Sequence, residues 1–299
     1  MRMSPSGRTG LEWDNSRMRP MFLALLLLAT PNAQDRPLPD YDTFAAQVKI
    51  HLATDEERQS GYMFTERRVN QNMDVGGRAT SQEVTVFEVY PGLPGEDRYR
   101  RRIEENGRPV PAEKLAKQDR ERKEHVEAYA RKLSKDSERQ KATRELATER
   151  RKYTDAIEDL FRIYDIHMVR REPLRGHDTI LALLTPRRDV KPNTPDGKIM
   201  RHFQARAWIS ESDYELVRVE VEAIDDLSFG LGVFARIHKG TVAMFERQKV
   251  NNEVWLPAEV TWTASARVML LKRLRLRSVS EFSNYRKFTV DTSTTYAPR

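Results

Sequence analysis

Cysteine is absent from the 299-residue sequence. A chain without thiols has no disulfide bond, thiolate nucleophile or cysteine-bound zinc, and no lipid can be attached to an amino-terminal cysteine. A strong charge of one sign is also missing, since 52 lysines and arginines face 45 acidic residues and leave a formal net charge of +7. That balance does not predict binding to nucleic acid. With 38% hydrophobic residues, the composition is typical of a globular protein that an apolar core stabilises.

Recognisable catalytic and cofactor-binding patterns are lacking as well. No Gly-x-Ser-x-Gly motif and no phosphate-binding glycine loop occurs. None of the six histidines lies three or four residues from another, so no metal site is predicted. Asp225 and Asp226 could form an acidic pair, but a turn is favoured because glycines follow them. The sequence therefore predicts no catalytic residue, no cofactor and no enzyme activity.

The amino-terminal part of the chain has the pattern of a secretory signal peptide. Residues 22–29 form an apolar run that follows Arg17 and Arg19. The run is shorter than the roughly 20 residues that cross a bilayer as a helix, so we expect neither a permanent anchor nor an integral membrane protein. A buried core helix is the alternative. We predict that translation starts at Met18, that residues 1–33 are an upstream extension plus signal, and that the mature chain enters the periplasm of a Gram-negative envelope.

After the signal, the first part of the mature chain has the patterns of one helix and three strands. Apolar residues recur at helical spacing over residues 41–52. Strands are predicted over residues 62–69, 83–90 and 99–104, with turn residues between them.

Residues 111–161 differ sharply in composition, because lysine, arginine and glutamate dominate a stretch with no glycine and no proline after Pro111. This pattern predicts a long helical insertion that is broken once or twice. A solvated insertion that covers part of a sheet is favoured, and a coiled coil that binds an envelope protein partner is the alternative.

The carboxy-terminal third has the clearest β pattern. Apolar residues occupy alternate positions over residues 201–209 and 217–223, which predicts a hairpin with one buried face. The same alternation continues from 254 to 270. A strand this long must bend strongly or contain a bulge.

Long antiparallel strands with one apolar face need a cover, and the helices are the available elements. We therefore predict an α+β fold, in which a curved antiparallel half-barrel has helices over its concave face and a long charged helical insertion. Residues 34–299 are expected to form a single domain with the insertion at about 111–161.

Several short motifs carry a resemblance to a known family. They are residues 208–210 (WIS), 214–219 (YELVRV), 239–241 (KGT), 254–257 (VWLP) and 282–288 (FSNYRKF). Together with the signal, they resemble the periplasmic carriers of the LolA/LolB type, which sort lipoproteins to the outer membrane. The resemblance implies an incomplete barrel, a cavity for acyl chains and no enzyme activity. The chain departs from those carriers in its length and in the insertion at 111–161.

The leading hypothesis is an exported, non-enzymatic protein that carries or senses a lipid, a lipoprotein acyl chain or another hydrophobic molecule. The alternative is an envelope interaction module that uses the charged helix, with the sheet as a packed scaffold. No nucleic acid is expected as a partner. The candidate cavity residues are Phe203, Ile209, Val219, Val260, Trp262 and Val268. Ordinary core packing explains the same positions without a ligand.

Overall fold

The computed structural model describes residues 36–74, 76–229, 235–268 and 272–288. The predicted signal peptide lies outside this part of the chain. The helices are α1 (Tyr41–Gln59), α2 (Ala112–Leu133), α3 (Asp136–Ile163) and α4 (Pro195–Met200). The strands are β1 (Tyr62–Met73), β2 (Ala79–Tyr90), β3 (Tyr99–Glu105), β4 (Arg108–Pro109), β5 (Tyr164–Leu174), β6 (His177–Pro186), β7 (Phe203–Ser210), β8 (Leu216–Ala223), β9 (Leu227–Phe229), β10 (Ala235–Ile237), β11 (Val242–Val250), β12 (Val254–Val268) and β13 (Lys272–Lys287).

Eleven strands form one antiparallel sheet in the order β4-β3-β2-β1-β13-β12-β11-β8-β7-β6-β5. Strands β9 and β10 pair separately as a short hairpin. The large sheet is not closed, because β4 and β5 lie at its two ends. The predicted α+β class with a large, unclosed antiparallel sheet is confirmed.

One face of this sheet packs against α1, and we call it the α1 face. Phe44 and Val48 of α1 form a buried cluster with Ile180, Ala182, Ala207 and Ile209 of β6 and β7. Ala207 and Ile209 contact α1 together because alternate side chains of β7 lie on the same side of the strand, as the sequence pattern predicts.

The α1 face continues across the other strands, because residues paired in neighbouring strands point to the same side. Ala207 pairs with Val219, and Val219 pairs with Phe245. Phe245 pairs with Val260, which pairs with Ser280, which in turn pairs with Arg68. The α1 face is thus apolar on β6, β7 and β8, carries both apolar and hydroxyl side chains on β13, and becomes charged on β1.

The long strand β12 contains the predicted irregularity. Glu246 of β11 pairs with Glu259, whereas Arg247 pairs with Pro257, so Ala258 is an extra residue in β12. A bulge of this kind bends a strand and reverses which positions point to each face, so Val260 and Trp262 lie on the α1 face whereas Val254 and Leu256 lie on the opposite one.

The charged insertion is two helices, α2 and α3, which separate at residues 134–135. It leaves the sheet after β4 and returns at β5, so it connects the two ends of the sheet. The amide of Gln118 in α2 donates to the carbonyl of Arg102 at 3.0 Å and accepts from its N–H at 2.9 Å. These bonds satisfy backbone groups of β3 where the short strand β4 has ended.

Asp159 fixes the carboxy-terminal part of α3 to the loop before α4. Its buried carboxylate accepts hydrogen bonds from the N–H groups of Asn193 and Thr194, both at 2.9 Å, and from the Thr194 hydroxyl. Burial raises the pKa of Asp159, but these hydrogen bonds and the one from Arg162 outweigh burial and lower it below the ordinary value. A Cβ atom at Gly197 would collide with the same carboxylate, so only glycine fits there.

Replacing Asp159 with alanine is expected to lower the free energy of unfolding by about 2 kcal/mol at neutral pH, because two backbone N–H groups lose their acceptor. A carboxyl whose folded pKa is lowered stabilises the protein above its unfolded pKa, and that stabilisation is lost as the pH falls through the folded pKa. The difference between Asp159→Ala and wild type should therefore shrink below about pH 4. Urea unfolding measures this difference in the free energy of unfolding. The control is Asp155→Ala, because Asp155 is exposed. Equal stability of the two variants at pH 7 would contradict this role.

Candidate functional site

Beyond β11, the α1 face carries an open cleft of about 860 Å³. It lies over β12, β13, β1 and β2, whereas the buried contacts of Phe44 and Val48 in α1 are with β6 and β7. The lining residues are Glu66, Arg68, Asn70, Gln71, Asn72, Ser81, Gln82, Glu83, Arg100, Val260, Trp262, Leu276, Arg277, Ser278, Ser280 and Phe282. We call this space the open cleft.

The floor of the open cleft is apolar where β12 and β13 pair. Val260, Trp262, Leu276 and Phe282 lie on the α1 face of these two strands. Trp262 is 38% exposed, which makes it one of the large hydrophobic side chains that water reaches in the described part of the chain. Phe282 makes an edge-to-face contact with the buried Phe64, and the two ring centroids are 5.5 Å apart. The floor is therefore a fixed apolar surface that nothing in the described chain covers completely.

A charged cluster forms the opposite wall of the open cleft. Glu66 is only 1% exposed, and its carboxylate accepts hydrogen bonds from Arg68 at 2.7 Å, Arg100 at 3.0 Å and the Ser280 hydroxyl at 2.8 Å. Burial acts to raise the pKa of Glu66, but these three donors outweigh burial and lower it. Glu66 thus stays ionised and fixes both guanidinium groups along the wall.

A second cleft, of about 950 Å³, lies between β3 and α2, and we call it the basic cleft. Its lining residues are Phe87, Arg100, Arg102, Glu105, Asn106, Arg108, Pro109, Val110, Pro111, Lys114, Lys117, Gln118 and Glu121. Arg100 lines both clefts, so they are neighbours on one side of the sheet.

The carboxy-terminal turn of α1 is tied to the sheet by a buried ionic cluster. Arg247 of β11 is 1% exposed and donates to Glu215 at 2.8 Å and to Asp55 of α1. Arg58 pairs with the same Glu215 carboxylate, and His51 contacts it at 3.0 Å. Burial raises the pKa of Asp55, while the charge of Arg247 opposes that rise. These contacts hold α1 over one part of the α1 face and leave the open cleft beside it.

The structure brings together two of the six residues that the sequence singles out as cavity candidates. Val260 and Trp262 line the open cleft. Ile209 is buried under α1, and Val219 is half-buried on the same face. Phe203 begins β7, where its carbonyl accepts a hydrogen bond from Tyr164 at 3.0 Å. Val268 ends β12, and its side chain lies outside the described part of the structure.

Sequence reasoning missed the charged half of this site. The pattern of β1 contained the signal, since Tyr62, Phe64, Glu66 and Arg68 occupy alternate positions and change from apolar to charged. Leu276 and Phe282 follow the alternation that continues from β12, but only the pairing of β13 with both β12 and β1 places them beside Glu66.

Two other kinds of site have no candidate among the described residues. The described residues contain no group of three or more histidine, aspartate or glutamate side chains that could hold a metal ion. Within the same residues, none of the helices has the length and hydropathy needed to cross a membrane.

Solved structures similar to this one include envelope proteins. An outer membrane lipoprotein-sorting protein domain from Vibrio parahaemolyticus matches with a TM-score of 0.34 and 9% identity, over 84% of this chain and 94% of that one. A DUF1329 family protein from Desulfovibrio piger matches with a TM-score of 0.31 and 11% identity, over 86% and 96%. The complex of MucA and MucB from Pseudomonas aeruginosa contains a chain with a TM-score of 0.24 and 9% identity, over 82% and 99%.

The chain is similar to a lipoprotein-sorting domain, the class of protein that its sequence motifs resemble. No protein-family model and no curated protein sequence matches it.

Proposed function

We propose that this protein is an exported, non-enzymatic binding protein that holds a hydrophobic ligand, such as a lipid acyl chain, in the open cleft. The observation that carries the proposal is the exposed Trp262 on a floor with Val260, Leu276 and Phe282. Apolar side chains that remain accessible inside a cleft, with polar groups around them, are typical of sites for small hydrophobic molecules. In this proposal the signal peptide ends at about residue 33, and the mature domain follows it.

The size and chemistry of the open cleft support an acyl chain as its ligand. Its volume of about 860 Å³ is in the range of small-molecule sites. Each CH₂ group removed from water contributes about 0.8 kcal/mol, so a myristoyl-sized chain would supply on the order of 10 kcal/mol before the costs of association. Such binding needs an apolar surface and the exclusion of water, and it needs no reactive group.

The sequence-derived cavity candidates have different roles in this proposal. Val260 and Trp262 contact the ligand directly. Val219 and Phe203 continue the same apolar region toward β7, and Val268 stays a candidate from the sequence alone. Ile209 already contacts α1 and serves to hold that helix in place.

Binding of a fluorescent fatty acid to the purified mature chain tests the proposal. We expect saturable binding of one molecule per chain, displaced by unlabelled myristate. Tryptophan emission should change on binding, because Trp262 is exposed while Trp255 is only 3% exposed. A chain that binds no fatty acid and none of its glycerol esters would refute the proposal.

A protein partner on the charged helices is the second candidate function. No residue of α2 is buried in the described structure, so the side of the helix that faces away from β3 is open to a partner. Val126 of α2 and Leu146 of α3 are 37% and 39% exposed and would contribute apolar contacts. This candidate uses a different surface, so it predicts that partner capture survives the loss of the open cleft.

A further inference from the structure

The open cleft and the basic cleft adjoin at Arg100, and we describe them together as one groove with two chemically different ends. Its apolar end lies on β12 and β13, around Trp262, and its basic end lies between β3 and α2. The strands β12, β13, β1, β2 and β3 are consecutive neighbours in the sheet. With a spacing of about 4.8 Å between strands, the groove extends roughly 19 Å across them.

The positive charge of the basic end is only partly neutralised. Arg100 is paired with Glu66 at 3.0 Å, and Arg102 approaches Glu105 at 3.7 Å. Lys117 approaches Glu121, also at 3.7 Å, but both side chains are more than 60% exposed and such a pair is weak. Arg108 and Lys114 have no ion-pair partner among the described residues. The basic cleft therefore has cations available for an external anion.

We infer that the ligand is an anionic lipid whose phosphate-bearing head group lies in the basic cleft, while its acyl chain lies on the floor of the open cleft. This inference rests on the proposed function and adds the charge and polarity of the ligand. Guanidinium groups match phosphate oxygens with paired hydrogen bonds, and Lys114 adds a point charge. A cleft of about 950 Å³ also has room for more than a single carboxylate.

Glu66 lies where the open cleft meets the basic cleft, and it fixes two arginine side chains there. It holds Arg68 and Arg100 at the boundary between the two ends, because its buried carboxylate accepts a hydrogen bond from each guanidinium group. Arg108 and Lys114 line the basic cleft and not the open cleft, so a negative head group is favoured at the basic end. A neutral lipid would leave Arg108 and Lys114 without an anionic partner, so the basic end would add no electrostatic free energy to its binding.

Three probes separate the head group from the chain. They are myristoyl lysophosphatidic acid, monomyristoylglycerol and glycerol phosphate, and each is titrated into the full mature chain by calorimetry. We expect lysophosphatidic acid to bind at least about tenfold more tightly than monomyristoylglycerol, and glycerol phosphate alone to bind weakly. Raising the salt concentration should weaken only the phosphate-bearing probes.

A charge-reversed pair of variants locates the head group. Arg108→Glu combined with Lys114→Glu should weaken binding of lysophosphatidic acid by about tenfold or more and leave monomyristoylglycerol unchanged. The matched control is Arg120→Glu combined with Arg144→Glu, which makes the same change of net charge at exposed positions outside both clefts. All four residues are exposed, and circular dichroism checks that both proteins are folded.

The outcomes distinguish this inference from the proposed function. Equal affinity of wild type for the two lipids, or equal effects of the two double variants, would overturn the inference and leave acyl-chain binding intact. Tight binding of glycerol phosphate alone would identify a site for a free phosphate ester and would also overturn it. Failure of both lipids to bind would refute the proposed function itself.

Discussion

Replacing Arg247 with methionine is expected to lower the free energy of unfolding by about 3–5 kcal/mol. Arg247 is 1% exposed and provides the positive charge between Asp55 and Glu215, which are themselves buried. Removing it leaves two carboxylates close together, with the partly exposed Arg58 as the remaining arginine beside them. The same substitution detaches the end of α1 from β11, so we also expect faster amide hydrogen exchange in α1.

The pH dependence of this variant has a definite sign. Burial already raises the pKa of Asp55, and loss of Arg247 removes the charge that opposes that rise. A carboxyl whose folded pKa lies above its unfolded value destabilises the protein at higher pH, and the cost is relieved as the pH falls. The difference in the free energy of unfolding between wild type and Arg247→Met should therefore be smaller at pH 5 than at pH 7.

Urea unfolding at both pH values measures the effect of Arg247→Met. The matched control is Arg206→Met, which removes an arginine that is 60% exposed and paired with Glu220 on the sheet. Exposed pairs contribute at most about 1 kcal/mol, so the control should remain close to wild type. A deficit below about 1 kcal/mol for Arg247→Met, or one that grows as the pH falls, would show that the cluster does not hold α1.

Replacing Trp262 with glutamate is expected to abolish binding of an acyl chain, with a loss of affinity of about 100-fold or more. The substitution removes the largest apolar side chain from the floor of the open cleft and places a carboxylate where the chain would exclude water. Stability should change by less than about 1 kcal/mol, because the side chain is 38% exposed in the folded protein. Fluorescent fatty-acid titration and urea unfolding measure the two quantities separately.

The control for Trp262→Glu is Val126→Glu on α2. Val126 is 37% exposed, which matches Trp262, but it lies outside both clefts. The control should bind the fatty acid like wild type. If both variants bind equally well, the open cleft is not the site, and if only the control loses binding, the helices contain it.

The sequence allowed much of the sheet to be predicted and little of its pairing order. Alternation identified β7, β8 and β12, because each has one apolar side over many residues. The neighbour relation of β1 and β13 depends on contacts more than 200 residues apart in the chain, such as Ser280 with Glu66, and no local pattern encodes it. The open cleft depends on that pairing.

The ionic groups were the least predictable part of the site. Asp55, Glu215 and Arg247 lie on three separate segments and look like ordinary surface charges when each is read alone. Their burial follows from the packing of α1 across the sheet, which brings Arg247 to a residue 192 positions away. The charged stretch without glycine or proline contains α2 and most of α3, and its role as an insertion that covers the sheet stays a prediction.

Native mass spectrometry of the protein, gently purified from the cell envelope, tests hydrophobic ligand binding in the open cleft most directly. For wild type we predict a bound species with the mass of a lipid, released when the protein is unfolded. The same species should be missing from Trp262→Glu and retained by Val126→Glu. A wild-type protein that carries no lipid and accepts none when lipid is added, or a lipid that stays bound to Trp262→Glu, would contradict the account.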